Sequence, residues 1–304
     1  MKNSLALFLG LNLAILVLDF FVGGISANLQ LVLAALLIGL VGIPHGAIDN
    51  LLFLNNNKTI SPIRFYSFYL ALIVLVIVVW ILSPLISFIT FMILSAYHFG
   101  QSQFARYSRI NRFSKAVLYG TWGLAILSGI CVFNQTEILR IISFEADLLA
   151  IRTFFTGNMF QVLLICCSVV FLAALLYYQK HIGFRNVAYE ITVFLLIQAS
   201  LFVNPLLLGF SIYFASLHSW EVLQQEFIFL KKHISPLKWF NFIFLLTPYT
   251  LVSLVGFGIF YTLSSFNVIA ISETLLVFIA ISALTLPHSL VMENFYTSMV
   301  SKRA

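Results

Sequence analysis

The sequence predicts an all-α protein, a polytopic bundle of about ten transmembrane helices, and three observations carry that prediction. Hydrophobic residues make up 62% of the 304-residue chain and charged residues 9%, against roughly 25% charged in an average soluble domain. The apolar residues gather into runs near the ~20 residues that cross a bilayer as a helix. The basic residues collect in every second connection between those runs. Lipid then replaces water as the solvent, and a backbone that finds no partner there must satisfy itself, which means helices.

Taken in order, the runs fall at about 5–22, 29–53, 65–82, 84–104, 115–133, 158–178, 187–203, 205–230, 239–262 and 269–296. The first is too long for a signal peptide and counts as a span. Pro84 and Pro205 open their runs, where a missing N–H costs least. The whole chain, 1–304, reads as a single integral membrane domain. Cys131, Cys166 and Cys167 lie in apolar runs without metal-type spacing and receive no role.

Charge gives an independent check on the count. Lys2, then Lys58 and Arg64, then Arg106, Arg109, Arg112 and Lys115, then Lys180 and Arg185, then Lys231, Lys232 and Lys238, and finally Lys302 and Arg303 fall on one side of the alternation. Arg140 and Arg152 lie on the other, in a connection shared with Glu137, Glu145 and Asp147. The positive-inside rule puts both termini in the cytoplasm, and the expected location is the cell inner membrane. An eight-span arrangement, with two runs in the interface, breaks the alternation. The net charge of +6 is scattered and points to topology, with no nucleic-acid partner.

The six histidines sort into two groups. His181 and His233 fall in basic connections and read as solvated. His45, His98, His218 and His288 each sit on an even-numbered span, about 16, 14, 13 and 19 residues after its start. At 1.5 Å rise per residue these depths agree within roughly 10 Å. His45 lies in Gly42-Ile43-Pro44-His45-Gly46 and His288 follows Pro287. Proline kinks a span and glycine permits close approach, so both features re-aim a side chain. Asp49, four residues after His45, is expected on the same helix face, and Glu221 and Glu293 lie within about a turn of His218 and His288. A carboxylate accepting the second ring N–H would orient an imidazole and raise its basicity. Four buried neutral imidazoles suit iron, copper, zinc or nickel, with Asp49 and Glu221 offsetting charge from behind. An iron site with open positions for dioxygen suits an oxidisable lipid best. Tyr97, Phe99, Phe214 and Trp220 adjoin the candidate ligands and are the best candidates for lining an apolar substrate tunnel.

The motif Gly-Ile-Pro-His-Gly-Ala-Ile-Asp, the following Tyr-His-Phe-Gly, the Phe-x3-His-Ser segment and the closing Pro-His resemble the Brp/Blh family of bacterial β-carotene 15,15'-dioxygenases, over residues 40 to 295. The resemblance implies an integral membrane enzyme dependent on Fe(2+). With O2 it splits β-carotene at the central double bond into two retinal molecules, often to supply a rhodopsin, so a functional link to one is implied. By the same resemblance His45, His98 and His218 are iron ligands. Members carry a second histidine four residues after the one matching His218. Here Val222 stands in that place, and the depth argument nominates His288 as fourth ligand. Two other classes stay open at this point. One is a non-enzymatic carotenoid carrier or transporter with His45 and Asp49 as a proton relay. The other is a desaturase- or hydroxylase-like metalloenzyme, whose usual H-x3-H and H-x2-H-H clusters this chain does not contain.

Overall fold

The computed structural model describes residues 2–107, 109–143, 146–234, 236–266 and 271–301. Glu145, Lys302, Arg303 and the start of the tenth run, residues 269 and 270, lie outside them. Ten helical segments are long and apolar enough to cross a membrane: Asn3–Val22, Ala27–Asn56, Pro62–Leu82, Pro84–Phe104, Arg112–Phe133, Met159–Tyr177, Phe184–Val203, Leu206–His233, Trp239–Ser265 and Thr274–Ser298. Among the described residues there is no strand. The chain is a multi-pass helical membrane protein, and its ten candidate spans match the ten apolar runs in number.

In chain order the helices are α1 (Lys2–Val22), α2 (Ala27–Leu37), α3 (Asp49–Asn56), α4 (Pro62–Leu82), α5 (Pro84–Phe104), α6 (Arg112–Phe133), α7 (Gln135–Ile142) and α8 (Leu149–Thr156). They continue as α9 (Met159–Tyr177), α10 (Gln179–Ile182), α11 (Phe184–Val203), α12 (Leu206–Tyr213), α13 (Trp220–His233), α14 (Trp239–Ser265) and α15 (Glu273–Ser301). Two spans are composite. Between α2 and α3 the chain passes through a π-helical stretch, Ile38–Gly42, and a 3₁₀ turn, Ile43–Gly46. Between α12 and α13 it passes through a second π-helical stretch, Phe214–Ser219. Pro44 accounts for the first disruption, because it brings no N–H to the ladder.

Small residues let the central helices meet closely, as packing in lipid requires. A methyl group on Gly123 of α6 would run into the Ala96 backbone of α5, and one on Gly100 of α5 into the Tyr119 backbone of α6. This contact fixes the face of α5 that carries His98. Beside it, Phe104, Trp122, Phe171 and Phe194 interlock with ring centroids 5.1–5.3 Å apart along the row. Phe99 and Leu217 belong to that apolar cluster, whereas Ile48, Val222 and Val291 belong to a second. The candidate histidines sit at the seam. Outward faces stay apolar, with Phe20, Val252 and Leu82 largely exposed, as lipid-facing surfaces are.

Candidate metal centre

The span depths that align in sequence converge in space. His45, His98, His218 and His288 are all buried. Their rings form a closed circuit in which His45 lies 5.1 Å from His218, His218 4.9 Å from His98, His98 4.9 Å from His288 and His288 4.9 Å from His45, centroid to centroid. Each ring stands at 77–89° to the next. Such edge-to-face turning lets four imidazoles aim one nitrogen each at a common centre without stacking. Ring nitrogens of His45, His98 and His218 lie within 4.8 Å of one another, close enough to hold a metal ion.

Local structure explains how each ring is aimed. Both π-helical stretches carry a candidate ligand at or beside them, and they pack against each other; π-bulges are rare and tend to occur at functional sites. Gly42 leaves room there for Phe214, because a Cβ would lie 2.7 Å from Phe214 Cε1. His288 rides on α15 directly after Pro287, inside the helix.

The outer nitrogens are held by acceptors. His45 Nδ1 bonds the Gly42 carbonyl. His288 Nδ1 bonds Asp49 Oδ1 at 2.8 Å, and Asp49 Oδ2 in turn accepts the Tyr69 hydroxyl at 2.9 Å. His218 Nδ1 lies 3.0 Å from Ser102 Oγ, whose own proton goes to the Phe99 carbonyl at 2.8 Å. A carbonyl, a carboxylate and a committed hydroxyl can only accept from these rings, so Nδ1 carries the proton in all three. That leaves a lone pair on each Nε2. The Nε2 atoms of all four histidines are buried without a hydrogen-bond partner. Orphaned buried polar atoms are uncommon and demand an explanation. Four on facing rings fit a metal ion bound through imidazole.

The expected surroundings are only partly those the spacing suggests. The chain is broken between His45 and Asp49, so they do not share a helix face, and Asp49 serves His288 instead. Glu221 turns away from the rings and accepts from Ser4 Oγ of α1 at 2.6 Å. Phe214 stacks on His218 at 5.4 Å and also meets His45 at 5.5 Å, while Phe99 lies 4.8 Å from His218. Tyr97 packs on Tyr119 and donates to Glu293, and Trp220 stacks on Trp239. Neither makes a ring contact with the histidines. Ser102 and Tyr69 have no signal in the sequence beyond being polar groups in apolar spans. His181 and His233 are exposed.

A helical membrane bundle enclosing a histidine group that can hold a metal defines the class as a polytopic membrane protein with a candidate metal centre. The chain belongs to the beta-carotene 15,15'-dioxygenase family, whose model matches residues 36–296. It is 23% identical over 272 residues to the beta-carotene 15,15'-dioxygenase of uncultured marine bacterium 66A03, covering 86% of this chain and 93% of that protein. No solved structure matches it.

Proposed function

We propose that this protein uses iron(II), held by His45, His98, His218 and His288, and O2 to cleave β-carotene at its central 15,15' double bond, giving two molecules of retinal in the cell inner membrane. The observation that carries the reading is the set of four buried Nε2 atoms without partners on rings each turned edge-on to the next. Family membership supplies the substrate class. Iron bound there would supply the means of activating dioxygen next to the polyene. The chain's own contribution is positioning and dryness. The Nδ1 anchors hold the imidazoles as neutral donors, Asp49 offsets one positive charge of a divalent ion, and burial of all four rings excludes water. Phe214 and Phe99 place aromatic faces against His218, where they favour any positive charge developing on an adjacent polyene. Val222 is fully buried in an apolar cluster, and His288 takes the fourth place. The retinal so formed would link the protein functionally to a rhodopsin.

Expression in a carotene-producing host, with chromatography for retinal and metal analysis of the purified protein, tests this. Loss of carotene, appearance of retinal and one equivalent of iron are expected. His288→Ala should lose both iron and retinal. Unchanged carotene with bound carotenoid would favour a carrier, and full activity in His288→Ala would remove that residue from the cage.

A further inference from the structure

Three of the four imidazoles have their outer nitrogen anchored by an acceptor, whereas both ring nitrogens of His98 are without a partner. One helical turn further along α5, the side-chain carbonyl oxygen Oε1 of Gln101 is also buried and without a partner. The other end of that amide is already committed. Gln101 Nε2 donates to Glu293 Oε2 at 2.5 Å, the same oxygen that accepts the Tyr97 hydroxyl at 3.1 Å. Arg112 lies 3.9 Å from the second carboxylate oxygen. Turning the amide around would set Oε1 against a carboxylate, lone pair to lone pair. The charge on Glu293 therefore dictates which way Gln101 points and leaves its oxygen to find a donor elsewhere.

We infer that Gln101, held by Glu293, is a positioning residue that accepts the Nδ1–H of His98 and so keeps its Nε2 lone pair turned into the cage. A buried acceptor and a buried donor one turn apart on the same helix (i, i+3) are within reach through side-chain rotation, and each otherwise pays the cost of an unmade hydrogen bond. The chain Glu293–Gln101–His98 then parallels Tyr69–Asp49–His288 across the cage. Both relays tie α15 to the ring, one through its histidine and one through its glutamate. The inference concerns the tautomer of His98 and needs the metal reading only for its second measurement.

The first measurement is ¹⁵N NMR of histidine-labelled, metal-free protein in nanodiscs, with the His98 signals assigned by difference against His98→Asn. The wild type should show His98 protonated on Nδ1, and Gln101→Leu should shift it toward the other tautomer or a mixture. A wild-type His98 protonated on Nε2 overturns the inference, even if the variant fails to fold. The second measurement is Co(II) affinity by chelator competition. Gln101→Leu should weaken binding roughly 10–100-fold. The exchange Gln101→Glu with Glu293→Gln, which swaps donor and acceptor while leaving an oxygen toward His98, should recover most of it. Equal Co(II) affinity in wild type and Gln101→Leu would reduce the pair to a contact between helices. No Co(II) binding by the wild type, with the tautomer as expected, would count against the metal reading and leave the inference standing.

Discussion

Asp49 and His288 are 239 residues apart in the chain and meet through a hydrogen bond of 2.8 Å inside the bundle. The carboxylate fixes the proton on Nδ1, and Tyr69 holds the carboxylate from the other side. Replacing Asp49 by Ala should weaken metal binding roughly 10–100-fold. Asp49→Asn, which keeps an acceptor but loses the charge, should fall between that and the wild type. Iron retained against a graded chelator series, read beside retinal yield, checks this; equal retention in all three proteins would exclude Asp49 as a partner of the site.

A methyl group at position 42 collides with Phe214, which itself stacks on His218. Gly42→Ala should therefore cost about 1–3 kcal/mol as an overpacked contact and disturb the aim of His218. Adding Phe214→Leu should recover part of the stability but not the ring stacking, worth about 0.5–1.5 kcal/mol. A thermal-unfolding cycle of the two single variants and the double measures the coupling, and strict additivity would show that the residues act independently.

Two glycines on α6 should behave oppositely although they are three residues apart. A Cβ at Gly120 meets nothing within 4 Å, whereas one at Gly123 runs into the Ala96 backbone. Gly120→Ala should leave stability unchanged or raise it by up to about 1 kcal/mol through helix propensity. Gly123→Ala must push α5 away from α6, lowering stability and carrying His98 out of place. Melting temperatures in detergent, with metal content, discriminate; similar melting for both would mean the helices are not in close contact.

Away from the histidines, fully buried Glu190 accepts from Gln103 at 2.6 Å, from Tyr107 at 2.7 Å and from Arg106. Breaking such a pair from one side costs about 3–5 kcal/mol, so Glu190→Ala should impair folding far more than loss of an exposed carboxylate. Burial alone would lower the Arg106 pKa, but the charge of Glu190, the neighbouring Tyr107 and the hydrogen bonds to both together outweigh it and hold the guanidinium above its ordinary value. Because the folded value is raised, this contribution is complete at lower pH and is lost only as pH climbs through that raised value. Melting temperature across neutral to mildly alkaline pH should show no step from Arg106.

Much of this is legible in the sequence. The ten runs follow from length and apolarity alone, and the bilayer imposes both. The convergence of His45, His98, His218 and His288 follows from depth, since helices crossing one slab in one direction carry equal counts to equal heights. What the sequence could not show was the matching of partners. The i, i+4 rule assumes an unbroken helix, and the turn at Ile43–Gly46 cancels it, sending Asp49 to another span. Glu221 is three residues from His218, yet it accepts from Ser4 of α1. Ser102 lies four residues after His98 and serves His218. Sequence spacing reports neighbours along one helix, whereas orienting groups here are chosen between helices.

The two π-helical stretches also bear on how such a site can change. A π turn is an α-helix carrying one surplus residue, and everything beyond it is rotated by about 100° relative to an uninterrupted helix. Removing a single residue from Phe214–Ser219 would restore the ordinary ladder while swinging α13 and its whole set of side chains to a new heading. The bundle thus stores its angular settings in residue count as well as residue type. Aligned comparison with relatives must allow for one-residue gaps inside membrane spans, where gaps are usually forbidden.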